Sequence, residues 1–155
     1  KKVRKMKMNY PFNVIDAEKS DKDWILDIFN QNKIILGGKG YGSLQWKRFW
    51  DNNKVNESWI VIREKSFCHY LTRLRDGVNV IYEIATHNDY KKKGYGSLLV
   101  EKIGMPIELK TDYDSKESNT FYQKVGFNSN GTDYTKSGKK MQKYKLSDEL
   151  RFFNE

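Results

Sequence analysis

The chain has 155 residues, 14% of them aromatic and only two of them proline, which suits one folded domain with a sizeable core and excludes wholesale disorder. No apolar run approaches the ~20 residues that span a bilayer, and the basic N-terminus lacks the apolar segment of a secretory signal, so no membrane or export role is expected. One cysteine, Cys68, excludes an internal disulfide and favours a reducing, cytoplasmic setting, while a net charge of +9 suits nucleic acid, an acidic protein or a phosphorylated ligand.

In chain order, a basic segment (1–9) precedes "PFNVIDA" (11–17), which reads as a short strand. "SDKDWILDIFNQN" (20–32) opens with capping residues and sets Trp24, Ile25, Ile28 and Phe29 on one helical face. "SLQWKRFWDNN" (43–53) is a second, weaker helical stretch with Trp46, Phe49 and Trp50. Three strand-like runs follow, "ESWIVIRE" (57–64), "SFCHYLTRLR" (66–75) and "VNVIYEIAT" (78–86), rich in β-branched and aromatic residues. Asp76-Gly77 between the last two signals a hairpin. "GSLLVEKIG" (96–104) is a helix closed by Gly104, with Pro106 soon after. "PIELKT" (106–111) is a short strand, "DSKESNTFYQKVG" (114–126) a helix stopped by Gly126, and 127–147 two more strands before a tail at 148–155. The order β-α-α-β-β-β-α-β-α-β-β predicts a single mixed α/β domain over 1–155.

The hexapeptide "KGYGSL" occurs at 39–44 and again at 93–98. The second copy follows a buried-looking strand and opens a helix, the setting in which free backbone N–H groups and the helix dipole bind phosphate. Its glycines permit close backbone approach, and Lys91, Lys92 and Lys93 add charge. The first copy has no such strand and completes no nucleotide-binding motif. Its neighbours Tyr41, Trp46, Lys47, Arg48 and Trp50 leave two readings: a border to an acceptor site, even one for nucleic acid, or a plain glycine loop beside core tryptophans.

Lys91-Lys92-Lys93-Gly94-Tyr95-Gly96 resembles the Arg/Gln-x-x-Gly-x-Gly/Ala signature of the GNAT superfamily of N-acetyltransferases, with lysine in the first place. Phe121-Tyr122-Gln123-Lys124-Val125-Gly126-Phe127 resembles that family's second landmark. The family's Asn and Ala upstream of the tyrosine are here Ser115 and Ser118. The resemblance covers about 78–127. It implies a mostly antiparallel sheet whose fourth and fifth strands splay apart, flanked by about four helices.

It also implies acetyl-CoA as co-substrate and direct attack by an amine acceptor that the sequence does not identify. The implied cofactor-binding residues are Ile84, Ala85, Thr86, Lys91, Lys92, Lys93, Gly94, Tyr95, Gly96, Ser97, Ser118 and Tyr122. The N–H of Ala85 or Thr86 is then the candidate donor to the acetyl carbonyl, and Tyr122 the proton donor to the departing thiolate. An ordinary alkylamine has a pKa of ~10.4 and must lose a proton first. Glu83 is the nearest acidic candidate; Asp112, Asp114 or a water chain are rivals. A Cys68–His69 dyad is disfavoured because adjacent strand residues face opposite ways. His87 reads as a loop histidine, and the dispersed histidines and cysteine predict no metal site. The competing reading is a nucleic-acid-binding or nucleobase-modifying protein on the same scaffold.

Overall fold

A computed structural model describes residues 13–32 and 56–148. The first "KGYGSL", the helical stretch at 43–53 and the terminal segments before 13 and after 148 lie outside the described residues. The strands are β1 (Ile15–Asp16), β2 (Glu57–Ile62), β3 (Ser66–Thr72), β4 (Asn79–Thr86), β5 (Ile107–Asp112), β6 (Asn128–Tyr134) and β7 (Lys140–Leu146), and the α-helices are α1 (Lys22–Gln31), α2 (Tyr95–Ile103) and α3 (Lys116–Val125). The strands form one seven-stranded sheet in the order β1-β2-β3-β4-β5-β7-β6. Every neighbouring pair is antiparallel except β4–β5, which is parallel. No helix among the described residues is long and apolar enough to cross a membrane.

Each face of the sheet buries its own apolar set. On one side Ile25, Ile28 and Phe29 of α1, spaced i, i+3, i+4, meet Trp59, Val61, Phe67 and Ala85. On the other, Tyr95, Leu99 and Val100 of α2 and Tyr122 of α3 pack on Ile60, Ile62, Cys68, Ile81, Ile107, Leu109 and Tyr144. The alternation of β2 therefore sends Trp59 and Val61 one way and Ile60 and Ile62 the other. Cys68 and His69 are separated by the same rule: the thiol is in the α2/α3 cluster, and the imidazole stacks on Trp59 with ring centroids 4.4 Å apart.

α1 begins at Asp21, which is almost wholly buried. Its carboxylate accepts from Glu18 N–H at 2.8 Å, Trp24 Nε1 at 2.8 Å and Arg63 Nε at 3.1 Å. The hairpin signal at Asp76-Gly77 is realised as a longer loop, with Arg73 N–H bonded to Val78 O at 2.8 Å. Asp76 holds Arg73 there and accepts from Val78 N–H at 3.2 Å. The bonds from Arg73 bring its pKa down to about 2.

Candidate active site

Two irregularities in β4 create the site. The first is a bulge. Ile81 pairs with Tyr70 and Glu83 with His69, so Tyr82 is an extra residue on β4. The insertion lets Ile81 and Ile84, three positions apart, share the α2/α3 face, and it leaves Tyr82 51% exposed. The second is an opening. β4 pairs with β5 only at Asn79–Ile107, Val80–Glu108 and Ile81–Leu109. Beyond Leu109, β5 continues beside β7 as far as Asp112 paired with Met141. The segment from Tyr82 to Thr86 therefore has no ladder partner on its β5 side, which is the splay the sequence resemblance implies.

The register decides which backbone donors face this gap. His87 N–H bonds Lys65 O at 2.7 Å, which makes Ser66–Thr86 a non-hydrogen-bonded pair. By alternation the Ala85 N–H points at β3, and the N–H groups of Ile84 and Thr86 point into the gap. The Thr86 carbonyl, on the same side, takes a hydrogen bond from Asn32 Nδ2 at the end of α1, at 3.1 Å. Ser66 Oγ lies 2.9 Å from Ala85 O and 3.0 Å from Thr86 Oγ1, fixing the strand from its other edge.

The gap leads to the glycine turn. A short 3-10 turn (Asn88–Tyr90) is capped by His87, whose Nδ1 accepts from Asp89 N–H at 3.1 Å. This gives His87 a structural task. Gly94 then caps α2 with φ 86°, a left-handed conformation that suits glycine. The first helical bond is Leu98 N–H to Gly94 O at 3.1 Å, so the N–H groups of Tyr95, Gly96 and Ser97 stand ahead of the intrahelical ladder. A Cβ on Gly96 would lie 2.8 Å from the Phe121 ring of α3. The two sequence motifs thus touch, and Gly96 serves helix packing. Lys91 Nζ bridges to Glu117 of α3 at 3.2 Å, whereas Lys92, Lys93, Gly94 and Ser97 are exposed. Tyr95 turns its side chain into the core, as does Ser118, whose N–H bonds Ser115 Oγ at 3.3 Å.

The titratable groups fall into distinct settings. Glu83 Oε2 lies 2.7 Å from His69 Nδ1, with the Glu83 side chain 18% exposed. Sequence reasoning left His69 without a task; its place directly opposite Glu83 comes from the β3–β4 register, which the bulge shifts. The rival Asp112 is held below its ordinary range by Asp114 N–H at 2.9 Å and by Lys139 at 3.2 Å, against a smaller effect of burial. A lowered carboxylate is a poor base, and Asp114 is exposed beyond the strand. Burial pushes the Tyr122 phenol well above its usual value, and Cys68 and Tyr144 push it further. It keeps its proton at neutral pH and is suited to donating a hydrogen bond. Burial raises the Cys68 thiol also, as does the Glu83 charge, which leaves it unreactive. No group of three or more His, Cys, Asp or Glu among the described residues is placed to hold a metal.

The mixed sheet thus opens between its parallel pair, and the opening leads to the glycine-capped start of α2. Residues 54–129 match the family model "Acetyltransferase (GNAT) domain". Those residues therefore carry a GNAT acetyltransferase domain, an acyltransferase class. No protein of curated function matches it significantly in sequence. Among solved structures it is similar to an N-acetyltransferase from Staphylococcus aureus Mu50, at 18% identity and a TM-score of 0.67, over 89% of this chain and 99% of that one. It is similar to spermidine N-acetyltransferase from Vibrio cholerae in complex with CoA and spermine, at 14% identity and a TM-score of 0.68, over 91% and 98%. The ribosomal-protein-S18-alanine N-acetyltransferase of Escherichia coli aligns at 14% identity and a TM-score of 0.62, over 87% and 94%. Identities this low speak for the fold alone.

Proposed function

We propose that this protein transfers an acetyl group from acetyl-CoA to a primary amine by direct attack. The single observation that carries the reading is the opening of β4 from β5 beyond Ile81–Leu109, continuous with the turn at Gly94. Bound acetyl-CoA supplies an acetyl thioester. The residues that suit its phosphates are the N–H groups at the start of α2, with Lys92 and Lys93 exposed beside them. The N–H groups of Ile84 and Thr86 suit the pantetheine arm and the acetyl carbonyl. Of the two donors expected from sequence, Thr86 is favoured over Ala85, whose N–H is used by β3. A fixed backbone donor gains strength where negative charge develops on oxygen.

Glu83 takes a proton from the acceptor ammonium, and the nitrogen lone pair so released attacks the carbonyl carbon. The C–S bond then breaks, the amide nitrogen gives up its remaining extra proton to solvent, and the leaving sulfur takes the proton of the Tyr122 hydroxyl, which solvent restores. The acceptor is an amine because a carboxylate base with a backbone oxyanion donor suits direct aminolysis, while the Cys68 thiol is buried and pushed up in pKa. The test is incubation with acetyl-CoA and an amine panel that includes spermidine and a peptide with a free N-terminus. Intact-mass detection of acetylated product, with release of free CoA thiol, is expected. Failure to bind CoA by calorimetry, together with no acetylated product, would overturn the reading.

A further inference from the structure

His69 lies between two aromatic rings and against one carboxylate. Its ring stacks on Trp59 at 4.4 Å and 14°, and meets Tyr82, the bulged residue, at 5.3 Å and 50°. Its side chain is only 10% exposed, and Nδ1 is 2.7 Å from Glu83 Oε2. A Glu83 that acts as a base must accept in this hydrogen bond, which calls for the tautomer with the proton on His69 Nδ1. Strand pairing brings the two together: His69 and Glu83 are register partners, while the bulge at Tyr82 leaves an aromatic ring on the outer side of the imidazole.

We propose that His69 is the positioning residue of the acceptor site, holding Glu83 in the orientation in which it takes the proton from the amine. The inference rests on the acetyl-transfer reading above. The bond to Nδ1 occupies Oε2 and fixes the plane of the carboxylate, leaving Oε1 to accept the proton. The rings of Trp59 and Tyr82 hold the imidazole so that its donor keeps that aim. In the step itself, an N–H bond of the acceptor ammonium breaks, its proton passes to Oε1 of Glu83, and the nitrogen keeps the electron pair for attack. A side chain with a free carboxylate rotor spends part of its time misaligned, and small misplacements of a reacting group cost up to about 10²-fold in rate.

Two substitutions separate the hydrogen bond from the stacking. His69→Phe keeps a ring between Trp59 and Tyr82 and deletes the donor. His69→Asn deletes the ring and keeps an N–H donor close to the Nδ1 position. Two probe acceptors separate base-dependent from base-independent transfer: n-butylamine, protonated at neutral pH, and hydroxylamine, which is largely neutral there. With n-butylamine, kcat/KM of His69→Phe is expected to fall by about ten- to a hundredfold, and His69→Asn to stay close to wild type. With hydroxylamine both variants should be near wild type, because no proton need be removed before attack. Near-normal n-butylamine transfer by His69→Phe, with loss in His69→Asn, would make His69 a packing residue and overturn the proposal. Equal losses with both amines would overturn it also. If His69→Phe does not fold, the Asn variant decides alone: retention of n-butylamine transfer supports the role and loss ends it. Wild-type protein that acetylates neither probe would count against the acetyl-transfer reading itself.

Discussion

Single side chains here do work that their residue types do not announce. Asp21 is the clearest structural case. Burial alone would raise its pKa, but bonds from the Glu18 N–H, Trp24 and Arg63 outweigh burial, and the carboxyl sits below its ordinary value. A depressed acid stabilises the fold fully above its unfolded value of ~3.9 and loses that contribution as pH falls through the folded value. Asp21→Ala should therefore cost about 2 kcal/mol at pH 7, and the gap between variant and wild type should close on acidification below pH 4. Denaturant melts at pH 7 and pH 3 check this; an equal difference at both would assign the effect to packing. Tyr122 is the functional case. It is buried, and its phenol is shifted upward, so Tyr122→Phe keeps the ring and its packing on Phe127 and Tyr144. Assistance to a leaving group is typically worth ~10²–10⁴-fold. With partial replacement by water, kcat should fall at least about tenfold, and CoA affinity should hold. Wild-type turnover in a folded variant would remove Tyr122 from the chemistry.

At the scale of elements, the glycine turn separates two demands that the sequence merges. Gly94 needs its left-handed φ, while a Cβ there would meet nothing within 4 Å. Gly96 has ordinary helical geometry but no room beside Phe121. Gly94→Ala should cost about 1–2 kcal/mol of strain, and Gly94→Asn less, because asparagine tolerates the left-handed region. Gly96→Ala should be rescued by Phe121→Leu, which withdraws the clashing ring, whereas Gly94→Ala should not. A thermal-melt double-mutant cycle measures both, and zero coupling between 96 and 121 would refute the packing account. Several described elements were legible: α1 from the helical spacing of Ile25, Ile28 and Phe29, and β2 and β3 from their β-branched and aromatic enrichment. The splay was reached through the resemblance of "KKKGYG" and "FYQKVGF", not from pattern. The bulge at Tyr82 was not legible, since "VIYEIAT" reads as a continuous strand and only pairing with β3 shows which residue is extra. With the bulge hidden, the His69–Glu83 pair was hidden too, because register is what sets the two opposite each other.

Across the whole molecule, positive charge and sheet construction both converge on the opening. Part of the basic charge on β5 and the β6–β7 hairpin is met locally: Lys110 pairs with Asp133, Lys139 with Asp112, and Lys140 lies 4.0 Å from the Tyr113 ring centre. Lys92 stands exposed beside the glycine turn, and Lys93, also exposed, has its Nζ 5.7 Å from the Tyr90 ring centre. The sheet is continuous through β4 and β5 only by three register pairs at one end, and past them the two halves are joined through the apolar cluster under α2 and α3 rather than by a ladder. A ligand seated there bridges the halves and stabilises the native state by mass action, about 2.7 kcal/mol at a free concentration of 100 Kd. The signature should be local as well as global. The register directs the amides of Ile84 and Thr86 into the gap and that of Ala85 at β3. Added CoA should therefore slow hydrogen exchange at Ile84 and Thr86 by forming new bonds, while Ala85, already in the ladder, should change only as far as global stability changes. Residue-resolved exchange at rising CoA concentration measures the three amides side by side. Selective protection of Ala85, with Ile84 and Thr86 unchanged, would mean that the ligand does not lie along this edge of β4.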